Sequence, residues 1–370
     1  MSDRKPITKT TVGGFLLLTL LIGCGRERER WEPFLFRHEG RWVAFHHVAI
    51  DKDGTKWFAT SVGIRRFDGR TWTVYDTSNS PISHNSINTL FVDRGGNVWA
   101  ACWYHGVVRF NPRADDGRAW TTFSKSDGLV DNYVHALAED REGNIWFGTS
   151  DGVSMYSPQE GKNSWAAYRP ENSGLTSSTV TAIAVDDSGE IWFGTSPMWV
   201  RSAFVGGGVV VYNPSFPTRS AWTTYDTTNS GLPSNSVRAI VIDGHSAART
   251  IWIGTEKGLS RFIPNAPEAN RWERFDKSSG SLPSDVVNAI AIDRSGNVWV
   301  AAADMGVAEA FKVGGVSLFN GATWSTFTVT NSKLQDNRAL DVAVDSRNNV
   351  WVCEFVGVDV YNDRGVMMDQ

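Results

Sequence analysis

The chain of 370 residues has only three cysteines, and they form neither a C-x-x-C pair nor a cluster with histidine. No zinc site is therefore indicated. Basic charge is also limited, since 36 Lys and Arg stand against 40 Asp and Glu. The formal net charge of -4 gives no positive field for nucleic acid. No apolar run is long enough to span a membrane, and beyond the N-terminus no segment is long and periodic enough for a helix.

Tryptophan is abundant, with 17 residues, and recurs in one setting. Seven copies stand just after a turn of the D-x-x-G type, roughly 40 to 60 residues apart. They are Trp57, Trp99, Trp146, Trp192, Trp252, Trp299 and Trp351. A period in this range is typical of a repeat architecture, so we expect one object with seven similar parts.

Each repeat holds four short segments rich in Val, Ile, Trp, Phe and Tyr, bounded by Gly, Asn, Asp and Ser. This composition predicts β-strands. The second segment carries the repeated Trp, as in NIWFGT, the third reads G-V-x-x-[FY], and the fourth reads W-x-x-[FY]. Four strands form one propeller blade, and a single blade cannot bury both of its faces. We therefore predict an all-β, seven-bladed β-propeller with four antiparallel strands per blade.

The last repeat lacks a fourth strand, because no W-x-x-[FY] segment follows Tyr361. The segment Trp31-Glu32-Pro33-Phe34 lies as far before Asp51 as other fourth-strand tryptophans lie before the Asp that follows them. We predict that this N-terminal strand completes blade seven and closes the ring, which removes a free sheet edge. The propeller is expected to span residues 31–362, followed by a tail of residues 363–370.

Two of the cysteines lie in predicted second strands, Cys102 in blade two and Cys353 in blade seven. These blades are not neighbours on the ring. A disulfide between the two cysteines is therefore not expected.

The N-terminal segment differs from the repeats. Basic residues precede an apolar run from Val12 to Ile22, which has the length of a signal-peptide core. The run ends in Leu-Ile-Gly-Cys, which resembles the lipobox of bacterial lipoproteins. The resemblance implies that residues 1–23 are removed and that Cys24 is lipidated. Residues 25–30, which are charged, are expected to form a short solvated tether, so residues 24–30 comprise the lipidated Cys and its tether. The protein is then expected in the cell envelope, anchored by lipid on the extracytoplasmic side. The alternative is a buried cysteine in an ordinary apolar segment.

Binding residues are expected where the repeats differ, in the connections between second and third strands. Blade four inserts Ser196–Gly208 and blade six inserts Ala303–Gly315, whereas blades three and five have short turns. All these connections fall on one face, here called the loop-rich face, together with the fourth-to-first connections. Candidate residues on it are Trp103, Tyr104, His105, Trp199, Arg201, Phe204 and Glu354. The aromatic residues would suit stacking on a sugar ring, or they pack as a lid over the blades.

A second set of candidates comes from aligning the first strands on their terminal Asp. The position five residues before that Asp is polar in six of the seven blades. The six residues are His46, Asn88, His135, Thr181, Arg238 and Asn288. Their place near the start of the strand predicts a ring at the channel mouth on the loop-rich face. The ring is either a polar ligand site or a solvated rim, and no catalytic pair, metal or cofactor is assigned to it.

The repeat V-x-A-I-x-x-D-x-x-G-x-[IV]-W-[FI]-G-T-x-x-G-[VL]-x-x-[FY] resembles the two-component-regulator propeller repeat. It fits best at residues 134–156, 180–195, 237–262 and 287–300. The linkers NSGLPSNSV and SGSLPSDVV are similar to that family's inter-repeat segment, and the resemblance covers residues 31–362. It implies an extracytoplasmic sensor of the kind found in membrane histidine kinases, often linked to polysaccharides. No kinase segment follows in this sequence, so a standalone form is expected.

Three functions remain open. The first and favoured one is a lipid-anchored binding module that holds a glycan or a protein partner on its loop-rich face. The second is an enzyme, because the repeat is similar to that of the seven-bladed streptogramin lyases. That resemblance implies a metal and an axial His, with His46, His135 and Glu354 as candidate analogues. The third is a scaffold without a small ligand.

Overall fold

The computed structural model describes residues 30–114, 119–158, 164–216, 218–244, 249–306 and 313–366. Its main strands form seven four-stranded antiparallel sheets. The first strand of each sheet packs against the first strand of the next, and the seventh packs against the first. This closed ring confirms the predicted all-β, seven-bladed propeller. The signal segment 1–23, Cys24 and the tether up to residue 29 lie outside the described residues, as does the tail from residue 367.

Each blade contributes one strand to each of four layers. The first strands, which line the axis, are Phe45–Ile50, Ile87–Val92, Val134–Glu139, Val180–Val185, Val237–Asp243, Val287–Ile292 and Asp341–Val344. The second strands are Lys56–Thr60, Val98–Cys102, Ile145–Thr149, Ile191–Thr195, Thr250–Thr255, Val298–Ala303 and Val350–Cys353. The third strands are Gly63–Phe67, Gly106–Phe110, Gly152–Ser157, Gly208–Tyr212, Gly258–Phe262, Gly314–Phe319 and Gly357–Tyr361. The fourth strands are Trp72–Tyr75, Trp120–Phe123, Ser164–Tyr168, Trp222–Tyr225, Trp272–Phe275, Trp324–Phe327 and Trp31–Leu35.

Small elements decorate the ring. Two hairpins pair Arg37–His38 with Arg41–Trp42 and Met198–Val200 with Ala203–Val205. Two 3-10 helices, Thr218–Ala221 and Glu268–Asn270, precede the fourth strands of blades four and five. Across the described ranges, no helix combines the length and the apolar character needed to cross a membrane. Cys102 and Cys353 are both buried, and no disulfide joins them.

The N-terminal strand completes blade seven, as predicted. Trp31–Leu35 pairs antiparallel with Gly357–Tyr361, and Trp31 lies opposite Tyr361. The Trp31 ring also packs against Phe327 of blade six, with 5.6 Å between ring centroids. Blades one and seven are further joined by a buried ion pair, in which Lys56 Nζ lies 3.3 Å from Asp345 Oδ2. The closure leaves neither end of the ring as a free edge.

The repeated Asp and Trp form one structural unit. In blade three the Asp140 carboxylate accepts the backbone N–H of Asn144 and the indole N–H of Trp146, both at 2.8 Å. The same Asp–Trp bond joins Asp51 to Trp57, Asp93 to Trp99, Asp186 to Trp192, Asp293 to Trp299 and Asp345 to Trp351. All seven repeated Trp side chains are at most 3% exposed. The turn therefore fixes the Trp that fills the space between blades.

Candidate functional site

The central channel holds a cavity of about 620 Å³ that is bounded by the first strands of all seven blades. The six polar residues predicted at the channel mouth all line it: His46, Asn88, His135, Thr181, Arg238 and Asn288. Four residues from second-to-third connections line it as well, namely Trp103, Ser196, Glu256 and Met305. Because these connections lie on the loop-rich face, the polar ring stands at that end of the cavity.

Each residue of the polar ring is the extra residue of a β-bulge. In blade three, Val134 pairs with Thr149 and Ala136 pairs with Gly148, so His135 has no partner on the second strand. The same register shift occurs at His46, Asn88, Thr181, Arg238 and Asn288. A bulge bends the strand and re-aims a side chain. It explains why residues from six different sheets converge on one cavity.

Four side chains of the ring also bond to the backbone of the next blade. In each case the acceptor is a backbone carbonyl oxygen of the next blade. It belongs to the residue just before the position that is equivalent to the ring residue. The bonds join Asn88 to Val134 at 2.7 Å, Thr181 to Val237 at 2.5 Å, Asn288 to Ala339 at 3.0 Å and His46 to Ile87 at 2.7 Å. The ring therefore links neighbouring blades as well as lining the cavity, and these four polar groups are partly occupied.

The other two ring residues make no such bond. His135 Nε2 lies 2.8 Å from Ser150 Oγ of the same blade, and Arg238 Nη2 lies 2.9 Å from Glu256 Oε1. Burial lowers the pKa of His135, which the charge of Asp131 only partly opposes. The imidazole is therefore neutral near pH 7 and able to donate or accept a hydrogen bond. His135 and Arg238 are the ring residues best placed to meet a ligand.

An aromatic cluster stands beside the channel mouth. The ring of Tyr133 lies 5.1 Å from Trp103, 4.1 Å from Tyr104 and 4.4 Å from His135, measured between centroids. Trp103 is 39% exposed and Tyr104 is 57% exposed. Tyr104 has a φ of 57°, in the left-handed region that residues other than glycine seldom adopt. Such local strain is typical of functional loops.

Trp199 and Phe204 lie away from the cavity, on the hairpin inserted in blade four. They are cross-strand partners with ring centroids 4.7 Å apart, and they are 64% and 73% exposed. The hairpin turn consists of Arg201 and Ser202, both with positive φ, as a tight two-residue turn requires. The hairpin is therefore a second exposed surface on the loop-rich face.

The expectation that Glu354 is accessible on the loop-rich face is wrong, because its side chain is fully buried. The chain folds inward there, since the Glu354 N–H donates to Gly357 O and the Glu354 carbonyl accepts the N–H of Phe45. Burial raises its pKa well above the usual range, and the charges of Asp359 and Asp336 raise it further. Glu354 does not line the cavity, so it does not join the two axial histidines into one site.

Several features of the mouth were not among the predicted residues. Tyr133 is the one aromatic residue at its position, where the other six blades carry Ala, Ser, Thr, Val or Arg, and this difference in the sequence would have identified it. His47 and Asp341 also line the cavity, with His47 Nδ1 3.7 Å from Asp341 Oδ2. His105, which was predicted, is exposed and stacks on His84 at 5.1 Å.

Comparison with known proteins identifies the repeat. A sequence profile described as two component regulator propeller matches residues 128–151, 174–196 and 281–304. Each matched segment joins the end of a linker to the first two strands of a blade. The resemblance drawn from the repeat is confirmed. No curated protein sequence matches the chain.

Solved structures share the fold. An extracellular domain of a hybrid two-component system from B. thetaiotaomicron is 21% identical, with a TM-score of 0.70 over 90% of this chain and 41% of that one. PorZ, a surface component of the type-IX secretion system of Porphyromonas gingivalis, is 18% identical, with a TM-score of 0.62 over 86% of this chain and 46% of that one. Virginiamycin B lyase from Staphylococcus aureus is 12% identical, with a TM-score of 0.62 over 89% of this chain and 98% of that one.

At these identities the structural likeness shows the fold alone. The chain spans about two fifths of the length of the two-component structures it matches. The fold and the matched repeats together define the class: a seven-bladed β-propeller that carries two-component regulator propeller repeats.

Proposed function

We propose that this chain is a sensor-like binding module that holds a glycan at its loop-rich face, outside the cytoplasm. The observation that carries the proposal is the aromatic cluster of Trp103, Tyr104, Tyr133 and His135 beside the mouth of a polar cavity. A sugar ring has an apolar face that packs on aromatic rings and hydroxyl groups that bind polar side chains. Arg238 and Glu256 line the same cavity and supply such groups.

The distribution of exposed apolar side chains supports the same face. In the part of the chain that the structure describes, the large hydrophobic side chains that are exposed lie on the loop-rich face, with the exception of Phe216. Phe216 follows the third strand of blade four and lies on the opposite face. Exposed apolar surface that is concentrated on one face is typical of an interaction surface.

The proposed lipid anchor at Cys24 gives this face an orientation. The N-terminal strand begins at Trp31, opposite Tyr361, on the face away from the loop-rich one. A tether of residues 25–30 spans at most about 20 Å when it is fully extended. An anchor at Cys24 would therefore hold that opposite face toward the membrane, and the loop-rich face would point toward ligands arriving from outside.

A protein partner is the second candidate, and the hairpin of blade four favours it. Trp199 and Phe204 form an exposed aromatic pair on two short strands that project from the ring. Aromatic anchors of this kind often dominate the free energy of protein interfaces. The hairpin and the channel mouth are separate surfaces, so single substitutions distinguish them.

The test is a titration of the protein with a panel of oligosaccharides. We expect one class of glycan to bind, and Tyr104→Ala to weaken its binding about fivefold, because stacking on an aromatic ring contributes roughly 1 kcal/mol. Phe216→Ala is the matched control, since it removes an equally exposed ring from the opposite face, and it should leave the affinity unchanged.

Equal affinity in the wild type and Tyr104→Ala, or no binding across the panel, would contradict the glycan site. If binding of a protein partner is instead lost in Trp199→Ala and kept in Tyr104→Ala, the hairpin is the site and the second candidate holds.

A further inference from the structure

A second cavity lies on the face opposite the loop-rich one, between blades six and seven. Its volume is about 280 Å³. Its walls come from the turns after the first strands of both blades and from the segment after the third strand of blade seven. Three arginines line it: Arg294, Arg347 and Arg364. We call it the arginine pocket.

The arginine pocket has more positive than negative charge. Within the described ranges, the guanidinium groups of Arg294 and Arg364 make no hydrogen bond or ion pair. Of the two acidic residues in the lining, Asp293 is buried and already accepts hydrogen bonds from the side chains of Asn297 and Trp299. Asp363 is then the one exposed carboxylate in the lining.

The interface between blades two and three shows what a neutralised site looks like. There Arg94 occupies the place of Arg294, directly after the turn Asp. Arg94 Nε lies 3.1 Å from Glu139 Oε1, and its backbone N–H donates to Glu139 Oε2 at 2.7 Å. At blades six and seven, Val344 stands in the place of Glu139, and the backbone N–H of Arg294 donates to Asn348 Oδ1 instead. The acid that neutralises Arg94 is therefore missing at Arg294.

We infer that the arginine pocket binds a phosphate group. A guanidinium group presents N–H donors in a planar fork that matches phosphate oxygens. The volume exceeds that of several water molecules, each about 30 Å³ in the liquid, and leaves room for part of an organic group. This inference does not depend on the glycan proposal, because it concerns the opposite face.

Two sources can supply the phosphate, a free phosphate compound or a lipid headgroup. The N-terminal strand enters beside the pocket, where the carbonyl of Arg30 accepts the N–H of Asn362 at 2.8 Å. A chain anchored at Cys24 would therefore turn the pocket toward the headgroups, whereas a chain free of the membrane would meet soluble phosphate.

The first experiment titrates inorganic phosphate into the full chain, the double variant Arg294→Ala with Arg364→Ala, and Arg94→Ala as the matched control. We expect the wild type and Arg94→Ala to bind with equal affinity. The double variant should bind at least about tenfold more weakly, because each guanidinium lost removes a charged hydrogen-bond donor.

The second experiment separates the two sources. The same proteins are floated with vesicles of phosphatidylcholine, alone or mixed with phosphatidylglycerol. If the wild type prefers the mixed vesicles and the double variant does not, the pocket is assigned to lipid headgroups. If the wild type floats equally with both kinds of vesicle, and its phosphate affinity depends on Arg294 and Arg364, the pocket is assigned to a free phosphate compound. If neither phosphate affinity nor vesicle preference differs between the wild type and the double variant, the inference is overturned.

Discussion

The two faces of the ring arise from the same repeat but differ in how closely the seven copies agree. On one face, an Asp carboxylate closes a short turn and holds a Trp indole in six blades. On the loop-rich face, the connections range from tight turns to an inserted hairpin. Packing between blades requires the same geometry in each copy, whereas loops above the ring have no such requirement. Agreement between copies marks the fold, and disagreement marks the surface available for binding.

Buried carboxylates show the same contrast. Burial alone would raise the pKa of Asp345, but hydrogen bonds from Trp351 and Asn349 and the charge of Lys56 lower it overall. On the loop-rich side of the same blade, burial raises the pKa of Asp359 to about 7. In the repeated turn, hydrogen bonds and a cation outweigh the burial of Asp345, whereas the one backbone hydrogen bond from Gln335 does not outweigh the burial of Asp359.

The largest effect should come from removing a repeated Trp. Trp146→Ala should lower the free energy of unfolding by about 3–5 kcal/mol, because it leaves a cavity between blades three and four. Trp199→Ala, on the exposed hairpin, should change it by less than about 0.5 kcal/mol. Denaturant unfolding of both variants measures the difference. A similar loss of unfolding free energy in both variants would contradict the contrast between the two faces.

A smaller effect should appear as pH dependence. The pKa of Asp359 rises from 3.8 to about 7 on folding, so the folded protein holds this proton more tightly. The stabilisation is complete below the unfolded pKa and is lost as pH rises through the folded pKa, at a cost of a few kcal/mol. Burial acts on Glu354 in the same direction.

We therefore expect the free energy of unfolding to fall between about pH 4 and pH 7. In the double variant Asp359→Asn with Glu354→Gln, the free energy of unfolding should depend less on pH. The exposed control Asp53→Asn should keep the pH dependence of the wild type. An unchanged slope in the double variant would show that these carboxylates do not set the pH dependence.

The smallest effect concerns the two roles of the polar ring. Asn88→Ala removes the bond to the Val134 carbonyl and should cost about 1 kcal/mol of stability, with glycan affinity unchanged. Arg238→Ala removes an exposed ion pair and should cost less than about 0.5 kcal/mol, yet weaken glycan binding. Unfolding and titration of the same two variants check this. A stable Asn88→Ala that no longer binds would reverse the assignment.

Much of the site could be located in the sequence, but not its detailed construction. The alignment of first strands placed His135 and Arg238 at the mouth, because strand position repeats with the blade. It could not show that each ring residue is the extra residue of a bulge, since a bulge depends on register with the second strand. Tyr133 was missed because a linker residue joins the aromatic cluster only once the neighbouring blade is in place.

The sequence by itself determined the number of blades, the strands of each and the closure by Trp31–Leu35. These follow from turn chemistry and strand alternation, which are local and repeat seven times. Only the tertiary structure decided which side chains are exposed. It buried Glu354 beneath an irregular connection and left Arg294 without the acid that Arg94 has. Burial and charge pairing depend on residues of neighbouring blades, which the pattern of one repeat does not contain.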